Sequence, residues 1–231
     1  CDAACQTAFS IALATVVVLV MAGCQKAEDQ VALAEKHVGD DKHQEAMEAY
    51  NRAIELKPDY AIAYHNRGLL HVKLGQNDKA FRDFDKAIEL DDGLPRAYRD
   101  RGRLHLQLKG FEQAIADFSR FLELEPDDSP AFRKRGLAYS ATSQLDKALQ
   151  DFDKAISLES KDAVAWQNRG QVHAKLGHSE DVVRDFSKVI ELKPDDPQAY
   201  FQRGSEYSKK GEGAKAIGDF DKAIELNPKD A

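Results

Sequence analysis

The chain has 231 residues, with 33 basic and 40 acidic side chains, a net charge of -7 and 32% charged residues. That balance argues against generic binding to nucleic acid or to an anionic membrane, and the length allows one or two ordinary domains. A mean hydropathy of -0.56 marks a soluble chain apart from its head. Of the three cysteines, Cys1 and Cys5 lie in that head, which leaves no disulfide framework and no cysteine zinc site.

From Ala8 to Gly23 there is no charged residue, and Ile11 to Val20 is apolar almost throughout. The run is short for a membrane span and suits the apolar region of a secretory signal peptide. It ends in Met21-Ala22-Gly23-Cys24, which resembles a bacterial lipobox. The resemblance implies a signal peptide over 1–23, cleavage before Cys24, lipid on the Cys24 sulfur and amino group, and a short linker over 24–26. Gln25, where inner-membrane retention would favour Asp, implies the periplasmic side of the outer membrane rather than the inner membrane. A multiply acylated anchor would hold the protein firmly, since a single chain is marginal. Cys24 would then be the one thiol of the mature chain, which an oxidising periplasm permits. The alternative is an uncleaved signal anchor. The head opens on Cys1-Asp2 without Met or basic residues, so the expectation is a chain whose true start lies upstream.

Beyond the head the sequence repeats. Gly68, Gly102, Gly136, Gly170 and Gly204 are spaced by 34 residues, and so are Phe84, Phe118, Phe152, Phe186 and Phe220. Tyr64, Tyr98, Phe132, Trp166 and Tyr200 form a third row, and Ala80, Ala114, Ala148, Val182 and Ala216 a fourth. A degenerate copy carries Ala34, Ala46 and Tyr50 at the matching places. Six copies therefore start at residues 27, 61, 95, 129, 163 and 197 and run to 230. Within each, apolar residues at i, i+3/i+4 and i+7 predict two amphipathic helices with a break between them, as at Gly75-Gln76-Asn77-Asp78. Pro58, Pro126, Pro194 and Pro228 stop second helices. Runs of Val, Ile and Thr bounded by turns are missing after residue 24, so no sheet is expected.

A helix pair of this length with an aromatic, a Gly, a small-x-x-x-aromatic and a closing Pro resembles the tetratricopeptide repeat (TPR). The resemblance covers about 205 of the 231 residues. It implies an all-α, right-handed superhelical solenoid of six helix-turn-helix units, each contacting only its neighbours, with somewhat less than one full superhelical turn.

One position departs from the usual repeat. Where the family has an apolar residue before the Gly, this chain has Arg67, Arg101, Arg135, Arg169 and Arg203. Sixteen residues on stand Asp83, Asp117, Asp151, Asp185 and Asp219. The first copy has Leu33 and Ala49 there, so both partners are lost together. A buried Arg is costly unless paired, and its planar fork suits a carboxylate. The expectation is an Arg–Asp pair across the two helices of each of copies two to six.

The resemblance also implies that the first helices line a concave face whose second, fifth, ninth, twelfth and thirteenth residues meet a ligand. In copies two to six those positions hold Lys73, Arg96, Arg99, Arg103, Arg133, Lys175 and Lys209 and no acid. His65, Leu69, Val72, Leu106, Leu137 and Phe201 add further contacts, and Asn66 sits beside them. An acidic chain should thus carry a basic groove that focuses field on an acidic or carboxylate-bearing peptide. The family's carboxylate clamp is incomplete: Asn66 and Arg96 match, but Val31, Glu35 and Asp100 replace the remaining residues.

No catalytic constellation, cofactor motif or metal set is read. His37, His71, His105 and His173 share one repeat position, so residues of neighbouring copies stand about a helix diameter apart. No metalloprotease helix motif, phosphate loop or nucleophile elbow occurs. After the sixth copy only Ala231 follows, so the face around Ala216, Phe220 and Ile224 is expected either to continue into missing chain or to contact another molecule, including a second copy.

Three functions follow. The first is a non-enzymatic, membrane-anchored scaffold that binds another protein. In layout it resembles outer-membrane TPR lipoproteins that dock peptidoglycan hydrolases and proteases, and the pilotins of type IV pili. The second is the accessory TPR region of a truncated larger enzyme. The third is a helical-repeat RNA binder, against which export and the acidic total count.

Overall fold

The computed structural model describes residues 26–227, so the leader, Cys24 and Pro228 lie outside the described residues. Every regular element within that range is helical: α1 (26–39), α2 (His43–Leu56), α3 (Ala61–Lys73), α4 (Asn77–Leu90), α5 (Pro95–Gln107), α6 (Phe111–Leu124), α7 (Ser129–Ala141), α8 (Leu145–Leu158), α9 (Ala163–Leu176), α10 (Ser179–Leu192), α11 (Pro197–Lys209) and α12 (Gly213–Leu226). The fold is an all-α repeat, two helices to each 34-residue copy. Helices α3, α5, α7, α9 and α11 begin on the first residue of copies two to six. Helices α2, α6 and α10 stop two residues before Pro58, Pro126 and Pro194, since the residue ahead of Pro is driven out of helical backbone.

The chain divides into two compact bodies, Cys1–Leu104 and His105–Ala231. In the first, Val31, Ala34, Ala46, Ala49, Tyr50, Ala53, Ala63 and Leu70 form one buried cluster. Ala80, Phe84 and Leu104 form another, and Ala61, Ala87, Leu94 and Ala97 a third. In the second body Ala148, Phe152 and Val172 pack together, as do Val182, Phe186, Val189 and Ala199. With the partly buried side chains packed against them, such as Val72, Leu137 and Trp166, the clusters take residues from both helices of one copy and the first helix of the next. One amphipathic pair cannot close its own core; its neighbour does so.

The aromatic row sets the helix spacing. Phe84, Phe118, Phe152 and Phe186 are fully buried. A Cβ added at Gly68 would stand 2.8 Å from the Phe84 ring, and one at Gly136 would stand 2.8 Å from Phe152. The glycine thus leaves room for the phenyl ring to approach bare backbone.

The turn between paired helices has one shape throughout. Asp41, Gly75, Lys109, Ser143, Gly177 and Gly211, each 34 residues from the next, all have φ between 58° and 75°. Left-handed backbone costs an L-residue about 1–2 kcal/mol, and only glycine adopts it freely. The sequence uses glycine at three of the six places. Ser143→Gly should therefore raise stability by about 0.5–1 kcal/mol after the offsetting gain in unfolded-chain entropy. Urea unfolding of the single variant checks this, with Ser143→Ala expected to give no such gain.

Candidate functional site

Two sets of side chains stand out along the first helices: the repeated arginines and the groove positions.

The arginines tie together the helices that carry the groove positions. Arg67 donates from Nε and Nη2 to Asp83 at 2.8 and 2.7 Å. Arg135 forks onto Asp151 at 2.8 and 2.8 Å, Arg169 onto Asp185 at 2.9 and 2.6 Å, and Arg203 onto Asp219 at 2.8 and 2.7 Å. These are parallel two-point pairs between the helices of one copy, the strongest arrangement open to this ion pair. The third nitrogen does something the sequence reading missed. Nη1 of Arg67, Arg101, Arg135, Arg169 and Arg203 donates to Asn51, Asp85, Ser119, Asp153 and Ser187, always sixteen residues upstream on the second helix of the preceding copy. Each guanidinium also lies over the ring three residues before it: Tyr64, Tyr98, Phe132, Trp166 or Tyr200, at 4.6–5.9 Å from its centroid. Both signals were legible as further 34-residue rows. The aromatic row stands three residues before the arginine row throughout, and the acceptor row changes residue type among Asn, Asp and Ser.

The environment bears on charge. Hydrogen bonding to Asp83 holds Arg67 firmly protonated, against the cost of its burial. Burial opposes the charge of Arg169 as well, and the bonds to Asp185 and Asp153 outweigh it. His71, at the edge of the Arg67–Asp83 pair, stands 3.7 Å from Asp83 and bonds Gln76 at 2.9 Å. Its burial pushes its pKa below 6.5, with the Asp83 charge resisting.

The groove positions are more heterogeneous than the sequence implied. His65 and Asn66 require correction as surface contacts, because both are buried. His65 lies between Asn66 Oδ1 at 3.0 Å and Asp100 Oδ2 at 2.9 Å, while the Asn66 amide donates to Glu35 at 2.8 Å. They form a polar chain joining α1, α3 and α5 behind the face. Asp100 itself is only 6% exposed. Burial would raise its pKa, but the hydrogen bonds from His65 and Arg99 hold it below the usual carboxylate range. Arg99 and Arg103 both lean on that one carboxylate, at 3.3 and 3.4 Å. Two cations share one anion, so α5 keeps net positive charge, and the exposed Arg96 adds to it. Lys73 reaches back to Asp41 at 2.8 Å.

In the second body Arg133 pairs with Asp162 at 2.8 Å, and Lys175 donates to Ser140 at 3.1 Å. Asp162 also accepts from the Val164 and Ala165 N–H groups, capping α9, so Arg133 is tied to a helix start rather than free for a ligand. Phe201 is 51% exposed. The basic face as it stands is therefore narrower than the sequence suggested: Arg96, Arg99 and Arg103 on α5, with Leu69 exposed on α3.

Comparison with known proteins agrees with this architecture. Models described as "TPR repeat" and "Tetratricopeptide repeat" match residues 41–75, 61–93, 99–163, 163–196 and 197–230. The chain belongs to the tetratricopeptide-repeat family, whose members act as protein–protein interaction scaffolds and typically carry no catalytic machinery. Among solved structures it is similar to YrrB, described as a TPR protein with an unusual peptide-binding site, at 27% identity over 79% of this chain and 94% of that one, TM-score 0.72. It shares its fold with a tetratricopeptide repeat protein from Parabacteroides merdae at 23% identity over 87% and 80% of the two chains, TM-score 0.72. It also shares it with Pseudomonas aeruginosa pilF at 14% identity over 90% and 95%, TM-score 0.72. No curated protein matches.

Two outcomes are expected. Arg169→Ala takes the two-point hydrogen-bond partner from Asp185, which has no solvent exposure, leaving only Arg184 at 3.7 Å and His173 at 3.9 Å, and should cost about 3 kcal/mol in chemical unfolding. The double change Arg169→Met with Asp185→Leu should cost much less, since no charge is then stranded. The second outcome concerns pH. The folded pKa of His71 lies below its unfolded value of 6.5, so the unfolded chain binds the extra proton and stability falls as pH drops through that window. His71→Gln should flatten the pH 7-to-5 stability slope relative to wild type.

Proposed function

We propose that the protein is a membrane-anchored scaffold that binds an acidic or carboxylate-bearing peptide segment of another envelope protein on the first-helix face of its first body. The observation that carries this reading is the charge state of α5, where Arg99 and Arg103 share a single buried carboxylate and Arg96 is exposed beside them. An anionic segment would complete a balance that Asp100 half supplies, with Leu69 offering apolar contact. Electrostatic complementarity of this kind mainly sets encounter rate and selectivity. The peptide-binding description of YrrB, at 27% identity, supports a peptide rather than a small molecule as ligand. Met21-Ala22-Gly23-Cys24 supports the lipid anchor, and the reading that goes with it is a protein of the bacterial cell envelope, on the periplasmic side of the outer membrane, in the setting of envelope or pilus assembly. Among the described residues no helix is long and apolar enough to cross a membrane.

A second reading concerns self-association, and one observation favours it. At the last copy Phe201, Phe220, Ala223, Ile224, Pro197, Gln198 and Asn227 line a cavity of about 440 Å³. Asp221 continues the acceptor row of Asn51, Asp85, Ser119, Asp153 and Ser187, and it is exposed. Light scattering at rising concentration tests association there: Phe201→Glu with Ile224→Glu should return any dimer to monomer.

The main test is titration of a fluorescent glutamate-rich peptide. Binding should weaken as salt rises, and Arg96→Glu with Arg103→Glu should abolish it; undiminished binding by that variant refutes the face. Cys24→Ala in cells should move the protein from the membrane fraction to the soluble one, and retention on the membrane would refute the lipid anchor.

A further inference from the structure

The copy that runs from 163 to 196 differs from its sisters at the turn between its helices. His173 Nδ1 lies 3.3 Å from His178 Nδ1 and 3.9 Å from an Asp181 carboxylate oxygen. One ligand atom from each of the three lies within 4.8 Å of the others. We propose that His173, His178 and Asp181 form a site for a divalent transition-metal ion of the zinc class.

The distances suit the ion. Two zinc–nitrogen bonds of about 2.0–2.1 Å at a tetrahedral angle hold their nitrogens about 3.3–3.4 Å apart, the separation seen here. Two imidazoles and a carboxylate match the preference of zinc, nickel and copper(II) over calcium or magnesium, which take oxygen ligands. A zinc site with three protein ligands leaves a fourth place for water or a partner's side chain.

The surroundings leave ligand atoms of His173 and Asp181 facing one another. His173 turns Nε2 toward Asp185 at 3.9 Å, leaving Nδ1 directed at His178. Both Asp185 oxygens already accept from Arg169 at 2.9 and 2.6 Å, so that carboxylate stands behind the ring as a charge and not as a hydrogen-bond partner. Asp181 gives one carboxylate oxygen to Arg184 at 2.7 Å and turns the other toward His173.

The site is confined to this copy. Where His178 stands, the other copies have Lys42, Gln76, Gly110, Gln144 and Glu212. Where Asp181 stands, three of them have Lys79, Lys147 and Lys215, which would repel a cation. In copy two the equivalent contact is an ordinary hydrogen bond from His71 to Gln76 at 2.9 Å. The pattern is His-x4-His-x2-Asp, within one copy rather than between copies, so it escapes a search along the shared histidine row.

The test uses the whole chain without a histidine tag. Calorimetric titration with zinc chloride should show one ion per chain, and cobalt(II) should develop the intense visible bands of a low-coordinate nitrogen/oxygen site. Zinc should raise the thermal unfolding midpoint. His178→Gln, which installs the residue copies two and four already carry and so preserves the turn, should weaken zinc binding about tenfold or more and remove both the cobalt bands and the thermal shift. Absence of zinc uptake by the wild-type chain overturns the proposal and leaves a plain hydrogen bond between two histidines. Equal uptake by His178→Gln overturns it too, since the ion would then sit elsewhere.

Discussion

The repeated arginine is the interaction on which this structure depends. One guanidinium carries five N–H donors in a fixed plane, and here that plane faces three directions at once. In Arg67, Arg135, Arg169 and Arg203 two nitrogens fork onto the carboxylate of the same copy, a third holds the preceding copy, and the flat face covers an aromatic ring. A leucine, the family's ordinary residue at this place, would provide packing between the paired helices but no directional tie to the copy before it. The arginine supplies both, and it does so in a fold where stability is a sum of single-copy and neighbour contributions. Burying the ion pair need not add net stability over an apolar equivalent. Its evident effect is geometric: the fork and the third bond together define how far one helix pair can turn against the last. The first copy, with Leu33 and Ala49, has neither half of the device.

How much of this was legible in the sequence depends on periodicity. Helix positions, the glycine against the phenylalanine, and the Arg–Asp partnership all recur every 34 residues, and recurrence makes them readable. Six turns with φ near 60–75° were equally periodic but hidden, because Asp41, Lys109 and Ser143 carry no glycine to signal them. The acceptor row was hidden for a related reason. Hydrogen-bond acceptance is shared by Asn, Asp and Ser, so the property repeats while the letter does not.

The groove was less legible because a position rule cannot see its neighbours. Counting residues two, five, nine, twelve and thirteen of the first helices of copies two to six gives a face without acids, the first copy alone placing Glu28 and Glu35 there. Asp100 occupies the sixth place, outside the rule, yet its carboxylate lies under Arg99 and Arg103. Asp162 lies just ahead of its helix, where a cap belongs, and it takes Arg133. His65, placed on the face by its position, and Asn66, placed there by its match to the carboxylate clamp, both turn inward because Asp100 and Glu35 offer them acceptors. Charge on a helical face is thus set by what the next helix offers as well as by the face itself.

The departures from the period carry the information about function. A repeat array needs identical neighbours only where neighbours touch, so residues that stack are held to a pattern and residues that face outward are released from it. Arg96, Arg99 and Arg103 occur together in one copy alone, and His178 with Asp181 in another. Neither set is required to hold its helices: the sister copies fold the same turn with Gln76 or Gly110 and the same first helix with Val164 and Gln167. Side chains that architecture does not demand, gathered within reach of one another and left partly unneutralised, are where a scaffold of this kind can distinguish one partner from another.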